Sequence, residues 1–389
     1  MKGPRLKICI VTGSRAEYGL LYPLMRLIRK ESSMDLQLLV TGMHLSPEFG
    51  LTFRQIEADG FSIQEKVEML LSGDTDTAMI KATGLGMIGF ADAFHRLQPD
   101  WVVVLGDRFE TFAAATAAHL AKIPIAHLHG GELTEGATDD AMRHAITKMA
   151  FLHFTSAEPY RKRVIQLGES PRRVFNVGAI GLDNIKGLKL LSKRELQKEL
   201  DFPVGDKTVL VTYHPTTLEK DTATRQVGHL LKALDQFPDI RILFTLPNAD
   251  AGGRSIIQQI EEYVKKNRER ARAFTSLGQL KYLSALQYVS AVVGNSSSGV
   301  LEAPYFGIPT VNIGDRQTGR LKPPSVIDTG TDVRSITEGI RKAFLPSFVK
   351  LSKRPSYVYG KGDTAPKILR IIQRTGKPAS VKKTFHDLT

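Results

Sequence analysis

Short apolar runs alternate with helix-period segments along this chain, and that alternation limits the fold more than any other sequence feature. In the first half, the runs of strand length are Ile8–Val11, Leu36–Val40, Trp101–Leu105, Ile123–His127 and Leu152–Thr155. The amphipathic stretches that separate them include Gly19–Arg29, Met79–Leu97 and Thr111–Lys122. Such alternation predicts a doubly wound parallel sheet with helices on both faces.

A second series of the same kind begins after residue 200, with strand-length runs at Val209–Thr212, Ile240–Leu246, Ala291–Val293 and Thr310–Ile313. We therefore predict an α/β protein of two Rossmann-like doubly wound domains that face a central cleft. The predicted boundaries are 1–183 for the N-terminal domain and 184–363 for the C-terminal domain. A C-terminal helix and tail, 364–389, completes the prediction, with the N-terminal domain as a candidate packing surface.

The charge balance indicates an anionic partner. The 389 residues carry a formal net charge of +13, which suits either nucleic acid or a phosphorylated small molecule. The basic residues are spread along the chain without a recognisable nucleic-acid motif, so we expect a small anionic ligand and no nucleic acid. No apolar run reaches the length of a membrane span, and the N-terminal run is too short for a signal peptide. We therefore expect a cytoplasmic protein without membrane attachment.

Polar side chains follow most of the predicted strands. In sheets of this kind, ligands bind beyond the carboxyl ends of the strands. The side chains at these ends include Arg15, Asp107, Arg108, His129, Glu132, His214, Asn248, Glu302 and Arg316. Each alone is typical of an ordinary loop, but their agreement predicts a ligand site to which both domains contribute.

The stretch NSSSGVLEAP predicts where a phosphate group binds. Ser296 and Ser297 stand where a helix should begin after a strand, and free backbone N–H groups at such a point bind phosphate. Serine is also an ordinary N-cap, so the stretch alone leaves both interpretations open. Arg316 follows the next strand, and arginine binds phosphate oxygens in bidentate fashion, which favours a diphosphate. Glu302 is placed to accept hydrogen bonds from both hydroxyl groups of a ribose.

The sequence gives little support to a metal or a cofactor. The P-loop pattern G-x-x-x-x-G-K-[ST] does not occur. His127 and His129 are alternate residues, as in some zinc sites, and Glu132, Asp139 and His144 lie nearby in the sequence. A zinc site is therefore an alternative, but we expect no metal and no cofactor.

Eight segments of the chain together resemble a known family. They are, in order, VTGSRAEYG, VTGMHLSPEFG, LGDRFE, HLHGGE, MRHAITKMAFLHF, VIQLGE, VGNSSSG and NIGDRQTGR. They are similar to segments of the hydrolysing UDP-N-acetylglucosamine 2-epimerases of bacterial sialic-acid synthesis, from Lys7 to about Ile371. The resemblance implies a two-domain fold like that of the glycosyltransferase-B enzymes. It also implies a homodimer that splits UDP-N-acetylglucosamine into UDP and N-acetylmannosamine.

The resemblance assigns roles to particular residues. Those with an implied catalytic role are Asp107, Asp139 and His214. Those with an implied role in UDP binding are Arg15, Tyr282, Ser296, Ser297, Glu302 and Arg316. Arg108 and Asn248, which also follow predicted strands, complete the predicted substrate-binding set.

One position departs from the broader epimerase family, which has a glutamate where this chain has His129. Either His129 or Glu132 then supplies the second proton-transfer group, so both join the predicted catalytic set. The chemistry needs two such groups, because one removes the C2 proton as UDP leaves and gives 2-acetamidoglucal. The other returns a proton to the opposite face of C2 while water adds at C1. Histidine is suited to this exchange near neutral pH.

Three other activities stay open on the sequence. A sister epimerase that acts on a nucleotide-linked 2,4-diacetamido sugar shares these motifs and differs in the pocket facing C4 and C6. A retaining glycosyltransferase of the same fold needs an acceptor site, and the acid cluster exceeds what transfer requires. A non-catalytic UDP-sugar sensor has no need of the combined set Asp107, His129, Glu132, Asp139 and His214.

Overall fold

Two parallel sheets, each with its own helices, organise the chain. The computed structural model describes residues 5–73, 75–134, 138–215, 222–247, 253–354 and 356–388. Unit 1 comprises Met1–Glu132, Thr138–Gly187 and Tyr359–Thr389, and unit 2 comprises Leu133–Ala137 and Leu188–Val358. The units therefore meet along the chain after Gly187 and before Tyr359, where the sequence analysis put the boundaries after 183 and 363.

Unit 1 is built on a seven-stranded sheet in the order β3-β2-β1-β4-β5-β6-β7. The strands are β1 (Leu6–Thr12), β2 (Met34–Thr41), β3 (Glu65–Val67), β4 (Trp101–Leu105), β5 (Ile125–Leu128), β6 (Leu152–Thr155) and β7 (Val174–Asn176). The helices are α1 (Arg15–Lys30), α2 (Phe53–Ala58), α3 (Asp76–Leu97), α4 (Phe109–Leu120), α5 (Thr138–Met149), α6 (Glu158–Gln166) and α7 (Gly181–Gly187). Every residue of β4 is buried, because helices cover both faces of a parallel sheet and its central strands are apolar throughout.

Unit 2 has a six-stranded sheet in the order β10-β9-β8-β11-β12-β13. The strands are β8 (Thr208–Thr212), β9 (Arg241–Thr245), β10 (Ala271–Phe274), β11 (Ala291–Gly294), β12 (Thr310–Ile313) and β13 (Val326–Thr329). The helices are α8 (Lys193–Leu200), α9 (Thr222–Asp235), α10 (Gly253–Lys266), α11 (Gly278–Leu286), α12 (Ser298–Leu301), α13 (Val333–Ala343) and α14 (Pro346–Ser352).

The predicted fold class of two Rossmann-like units is confirmed. All strand pairs are parallel, and both sheets wind outwards in two directions from a central pair of strands, as doubly wound folds do. The sequence analysis missed the four edge strands β3, β7, β10 and β13. Each has only three or four residues and keeps partly exposed side chains, so none forms a continuous apolar run.

The last helix, α15 (Thr364–Thr375), returns to unit 1. Its Ala365, Ile368 and Ile372 belong to the same buried core cluster as side chains of α1. After the helix, Gly376 O accepts a hydrogen bond of 2.8 Å from the indole Nε1 of Trp101. The tail then places the Lys383 ammonium on unit 1. Its hydrogen-bond acceptors there are Lys148 O, Ala150 O and Glu169 Oε2.

A glycine pattern in the sequence falls within α3. Gly84, Gly86 and Gly89 form a G-x-G-x-x-G pattern, but they lie inside α3 and not at a strand-to-helix turn, where dinucleotide binding needs them.

Across the described ranges, no helix combines the length and the apolar character that crossing a membrane requires.

Candidate functional site

In each sheet the winding reverses between two neighbouring strands, β1 and β4 in unit 1 and β8 and β11 in unit 2. The space beyond the carboxyl ends of such strands is where open α/β sheets bind ligands. The predicted residues of unit 1 follow β1, β4 and β5, and Asp139 stands on α5. Those of unit 2 follow β8, β11 and β12, and Tyr282 stands on α11. Asn248 lies outside the described residues.

Arg143 on α5 contacts three acidic residues of unit 1. The residue is buried, with 3% of its surface exposed. Its guanidinium pairs with Asp107, and its Nη1 lies 3.1 Å from Asp140 Oδ1. The same Nη1 donates to the backbone O of Glu132 at 2.8 Å. One cation thus joins the end of β4, the turn after β5 and the first turn of α5.

The sequence analysis missed Arg143. The available signal was its position three residues after Asp140, because residues three apart on a helix are neighbours and their opposite charges attract. The burial of Arg143 and its contact with Asp107, 36 residues away, depend on the sheet and were not visible in the sequence.

Asp107 does not cap the helix that follows it. Helix α4 begins at Phe109 with Arg108 at the N-cap, and no side-chain hydrogen bond caps the helix. The Arg108 guanidinium instead lies 3.1 Å from a carboxylate oxygen of buried Glu110. Arg15, the other predicted binding residue of this unit, is exposed at the first position of α1.

Asp139, on the first turn of α5, lies near enough to Asp107 to be affected by its charge. Burial and the negative charge of Asp107 raise the pKa of Asp139 to about 6. A carboxyl group with a pKa in this range exchanges protons readily near neutral pH. Two carboxyl groups with different environments in one site are typical of general acid–base chemistry.

His129 and Glu132 form a hydrogen-bonded pair. His129 Nδ1 lies 2.9 Å from Glu132 Oε1, and Ser156 Oγ donates to the same oxygen at 2.6 Å. Glu132 has 4% of its surface exposed. The backbone N of Ile180 donates to His129 Nε2 at 3.4 Å. The tautomer that satisfies both contacts carries its proton on Nδ1 and a lone pair on Nε2.

The turn that carries this pair has an unusual backbone. His129 has a φ of 64°, a left-handed conformation that is uncommon for a residue with a side chain. Gly131 has a φ of 79°, and a Cβ there would lie 2.4 Å from the backbone O of Tyr160. Glycine is therefore required at 131, and the tight HGGE turn brings His129 and Glu132 together. Strained backbone of this kind concentrates at functional sites.

The two ring nitrogens of His127 make hydrogen bonds to Gly106 and Thr147, and not to His129. Its Nε2 lies 2.8 Å from Gly106 O, and its Nδ1 lies 3.3 Å from Thr147 Oγ1. Burial lowers the pKa of His127 to about 3, so the imidazole is neutral. The zinc alternative required both histidines, and within the described ranges no group of three or more His, Cys, Asp or Glu side chains is arranged to hold a metal ion.

In unit 2, His214 and Arg316 are linked through Asn295. Arg316 Nη1 donates to Asn295 O at 3.0 Å, while the Asn295 side chain bonds the backbone of His214. Burial and the positive charge of Arg316 lower the pKa of His214 to about 4. The imidazole is therefore neutral near neutral pH. Asn295 is the first residue of the NSSSG segment, and no role for it was predicted from the sequence.

The predicted phosphate stretch differs from its expected form. Ser297 is the N-cap of α12, but no side-chain hydrogen bond caps this helix, and α12 has only four residues. Such a short helix has few aligned peptide dipoles, so the helix dipole contributes less to anion binding than expected. Ser296 and Ser297 are both half-buried.

Tyr282 and Glu302 both interact with the side chain of Ser298. Tyr282 donates a hydrogen bond of 2.6 Å to Ser298 Oγ, and the pKa of Tyr282 is raised by burial and by the negative charge of Glu302. Burial also raises the pKa of Glu302. Glu302 forms the C-cap of α12, because that helix is short.

Comparisons with known proteins give the context for this geometry. Residues 26–373 match a protein family described as UDP-N-acetylglucosamine 2-epimerase. The chain is 45% identical over 323 residues to the GDP/UDP-N,N'-diacetylbacillosamine 2-epimerase (hydrolyzing) of Campylobacter jejuni subsp. jejuni, covering 83% of this chain and 84% of that protein. It is 37% identical over 384 residues to the Polysialic acid biosynthesis protein P7 of Escherichia coli, covering 98% and 97%.

A solved structure shares the fold. The UDP-GlcNAc 2-epimerase from Neisseria meningitidis bound to UDP-GlcNAc superposes with a TM-score of 0.83 at 17% sequence identity, covering 95% of this chain and 100% of that one. The two-domain architecture that the family resemblance implied is therefore confirmed.

Proposed function

This chain belongs to the UDP-N-acetylglucosamine 2-epimerase family, and on that premise we propose that it is a hydrolysing 2-epimerase of a nucleotide-linked 2-acetamido sugar. The reaction yields a nucleoside diphosphate and the free sugar epimerised at C2. The observation that supports this best is the grouping in unit 1 of Asp107, Asp139 and the His129–Glu132 pair. A binding module does not need so many proton-transfer groups.

In this proposal, unit 2 handles the departure of the nucleotide. The C1–O bond breaks with its electrons on the diphosphate, and Arg316 stabilises the developing charge without rearrangement, because it is held by Asn295 O. Neutral His214 donates a hydrogen bond to the departing diphosphate. Tyr282 and Glu302 bind the uridine, and Ser296 and Ser297 bind phosphate oxygens, as the family resemblance implies.

Unit 1 handles the protons. Asp107, whose carboxylate pairs with Arg143, removes the C2 proton as the oxocarbenium ion develops, which gives the C1=C2 double bond of the glycal. His129, in a protonated form stabilised by Glu132, gives a proton to the opposite face of C2, which makes C1 an oxocarbenium carbon. Water then adds at C1 and returns a proton to His129. Asp139, whose pKa is raised to about 6, passes the proton taken up by Asp107 to solvent.

Solvent hydrogen should enter the product at C2. In D2O, we expect release of the nucleoside diphosphate together with a free 2-epimeric sugar that carries deuterium at C2, because the proton removed by one group is replaced by another. Proton NMR of the product mixture measures both. Product without deuterium at C2 contradicts the elimination route, and transfer of the sugar to an added acceptor supports the glycosyltransferase alternative.

The sugar itself has two candidates. A 2,4-diacetamido sugar is favoured by the 45% identity to a GDP/UDP-N,N'-diacetylbacillosamine 2-epimerase. UDP-N-acetylglucosamine, the first expectation from the sequence, is supported by the family description and by the 37% identity to a polysialic-acid biosynthesis protein. Comparing kcat/KM for the two sugars, each as its UDP and its GDP derivative, decides between them. We also propose a cytoplasmic homodimer, and light scattering tests its subunit number.

Arg316→Ala should weaken UDP binding. The substitution removes a charge-assisted contact worth roughly 1.5–3 kcal/mol, so we expect the Kd for UDP to rise by about 10- to 100-fold. Calorimetric titration measures this directly. Arg341→Ala is the matched control, because Arg341 is an exposed residue on α13 of the same unit, and it should leave the Kd unchanged. Equal affinity of both variants removes Arg316 from the nucleotide site.

A further inference from the structure

Asn295 connects the two groups of unit 2 that the proposed function places at the nucleotide. It follows β11 directly and has 1% of its surface exposed. Its Oδ1 accepts a hydrogen bond of 2.7 Å from the backbone N of His214, and its Nδ2 donates to the backbone O of His214 at 2.8 Å. The amide oxygen and the amide nitrogen of Asn295 therefore both bond to the backbone of His214, which follows the neighbouring strand β8.

These two bonds extend the sheet beyond its backbone ladder. The last residues in register between β8 and β11 are Thr212 and Gly294. Gly294 comes so close to Thr212 that a Cβ there would lie 1.9 Å from Thr212 O. Beyond this pair, the asparagine amide acts like a peptide group, since it offers one acceptor and a donor in the same plane. The backbone of His214 is thereby fixed to β11.

The main chain of Asn295 holds the next group. Its carbonyl O accepts from Arg316 Nη1 at 3.0 Å and from Gln317 Nε2 at 2.8 Å. The side chain of one buried residue thus holds His214, and the backbone of the same residue holds Arg316. A displacement of the Asn295 side chain should therefore move His214 and leave Arg316 in place.

We propose that Asn295 is a positioning residue for nucleotide release, and that its side chain sets the His214 imidazole beside the Arg316 guanidinium. The inference rests on the proposed function, because it takes the departing diphosphate as the group on which both act. This positioning role requires, at residue 295, a neutral side chain as long as asparagine that carries both a hydrogen-bond donor and an acceptor. Aspartate lacks the donor, and serine is too short to bond both peptide groups.

Asn295→Ser tests the inference against Asn312→Ser. Asn312 is also a buried asparagine of this sheet, but its Nδ2 donates to Asp328 and not to the site. We expect Asn295→Ser to lower turnover about tenfold or more, because small misplacements of a reacting group are costly, and Asn312→Ser to leave turnover near the parent value. In a His214→Gln background, Asn295→Ser should cause little further loss, since residues that act through one another are not additive.

The pH midpoint of the His214 imidazole, followed by NMR without substrate, is the second readout. Asn295→Ser should move the midpoint upwards, as the ring leaves its buried place beside Arg316. An unchanged midpoint, or full additivity with His214→Gln, overturns the inference. The midpoint stays informative even if no nucleotide sugar is turned over, a result that would overturn the proposed function instead. If Asn295→Ser does not fold, Asn295→Asp, which removes the donor and adds a negative charge, replaces it in the double-variant comparison.

Discussion

Asp107→Asn should lower turnover about 10²-fold or more. Asparagine keeps the size and an oxygen for Arg143, but it removes the carboxylate that the proposed function uses to take the C2 proton. Asp107 is not among the groups proposed to bind UDP, most of which belong to unit 2. The Kd for UDP should therefore stay within about twofold of the parent value, less than the loss of one neutral hydrogen bond. Steady-state kinetics and calorimetry with UDP measure the two quantities separately.

Asp140→Asn is the control for this experiment. Asp140 pairs with the same guanidinium at 3.1 Å but has no part in the proposed chemistry, so its variant should retain most of the activity. If both variants lose activity equally, the loss comes from disturbing Arg143 and not from removing a base. If Asp107→Asn turns over like the parent protein, Asp107 is not the group that removes the C2 proton.

Arg143→Met should destabilise unit 1 by roughly 3–5 kcal/mol, the usual cost of removing one partner from a buried ion pair. Methionine fills most of the volume, but it leaves Asp107 and the backbone O of Glu132 without the cation that both contact. Urea unfolding measures the change. The chain contains one tryptophan, and because Trp101 is fully buried in β4, its fluorescence reports on unit 1.

The surface pair Arg96–Glu65 provides the comparison. It belongs to the same unit and has two hydrogen bonds, at 2.7 and 2.8 Å, but the Arg96 side chain is 58% exposed. Exposed pairs contribute about 1 kcal/mol or less, so Arg96→Met should cost no more than that. If the two variants are equally stable, Arg143 does not hold the acidic groups as described.

The central strands of both sheets could be predicted from the sequence, but the edge strands could not. Trp101–Leu105 and Thr310–Ile313 were predicted with their observed bounds, because strands buried on both faces are apolar throughout. Edge strands such as Glu65–Val67 keep one polar face and have too few residues for a visible pattern.

The same limit applies to the candidate site. Polar residues after strands were visible because the carboxyl ends of parallel strands meet at one edge of a sheet. Arg143 and Asn295 were not visible, since each acts through contacts with residues far away in sequence. The choice between His129 and Glu132 also depended on geometry. The left-handed backbone at His129 and the turn at Gly131 bring the two side chains into one pair.

Because α15 packs on unit 1, the core of unit 1 is completed only after unit 2 has been synthesised. Ala365, Ile368 and Ile372 belong to the core around β1 and α1, yet Leu188–Val358 of unit 2 is translated in between. At about 5–20 residues per second, that interval lasts on the order of ten seconds or more. During this time the apolar surface of unit 1 that α15 later covers stays exposed on the nascent chain. The unit that carries the proposed proton-transfer groups is therefore the last to complete its core.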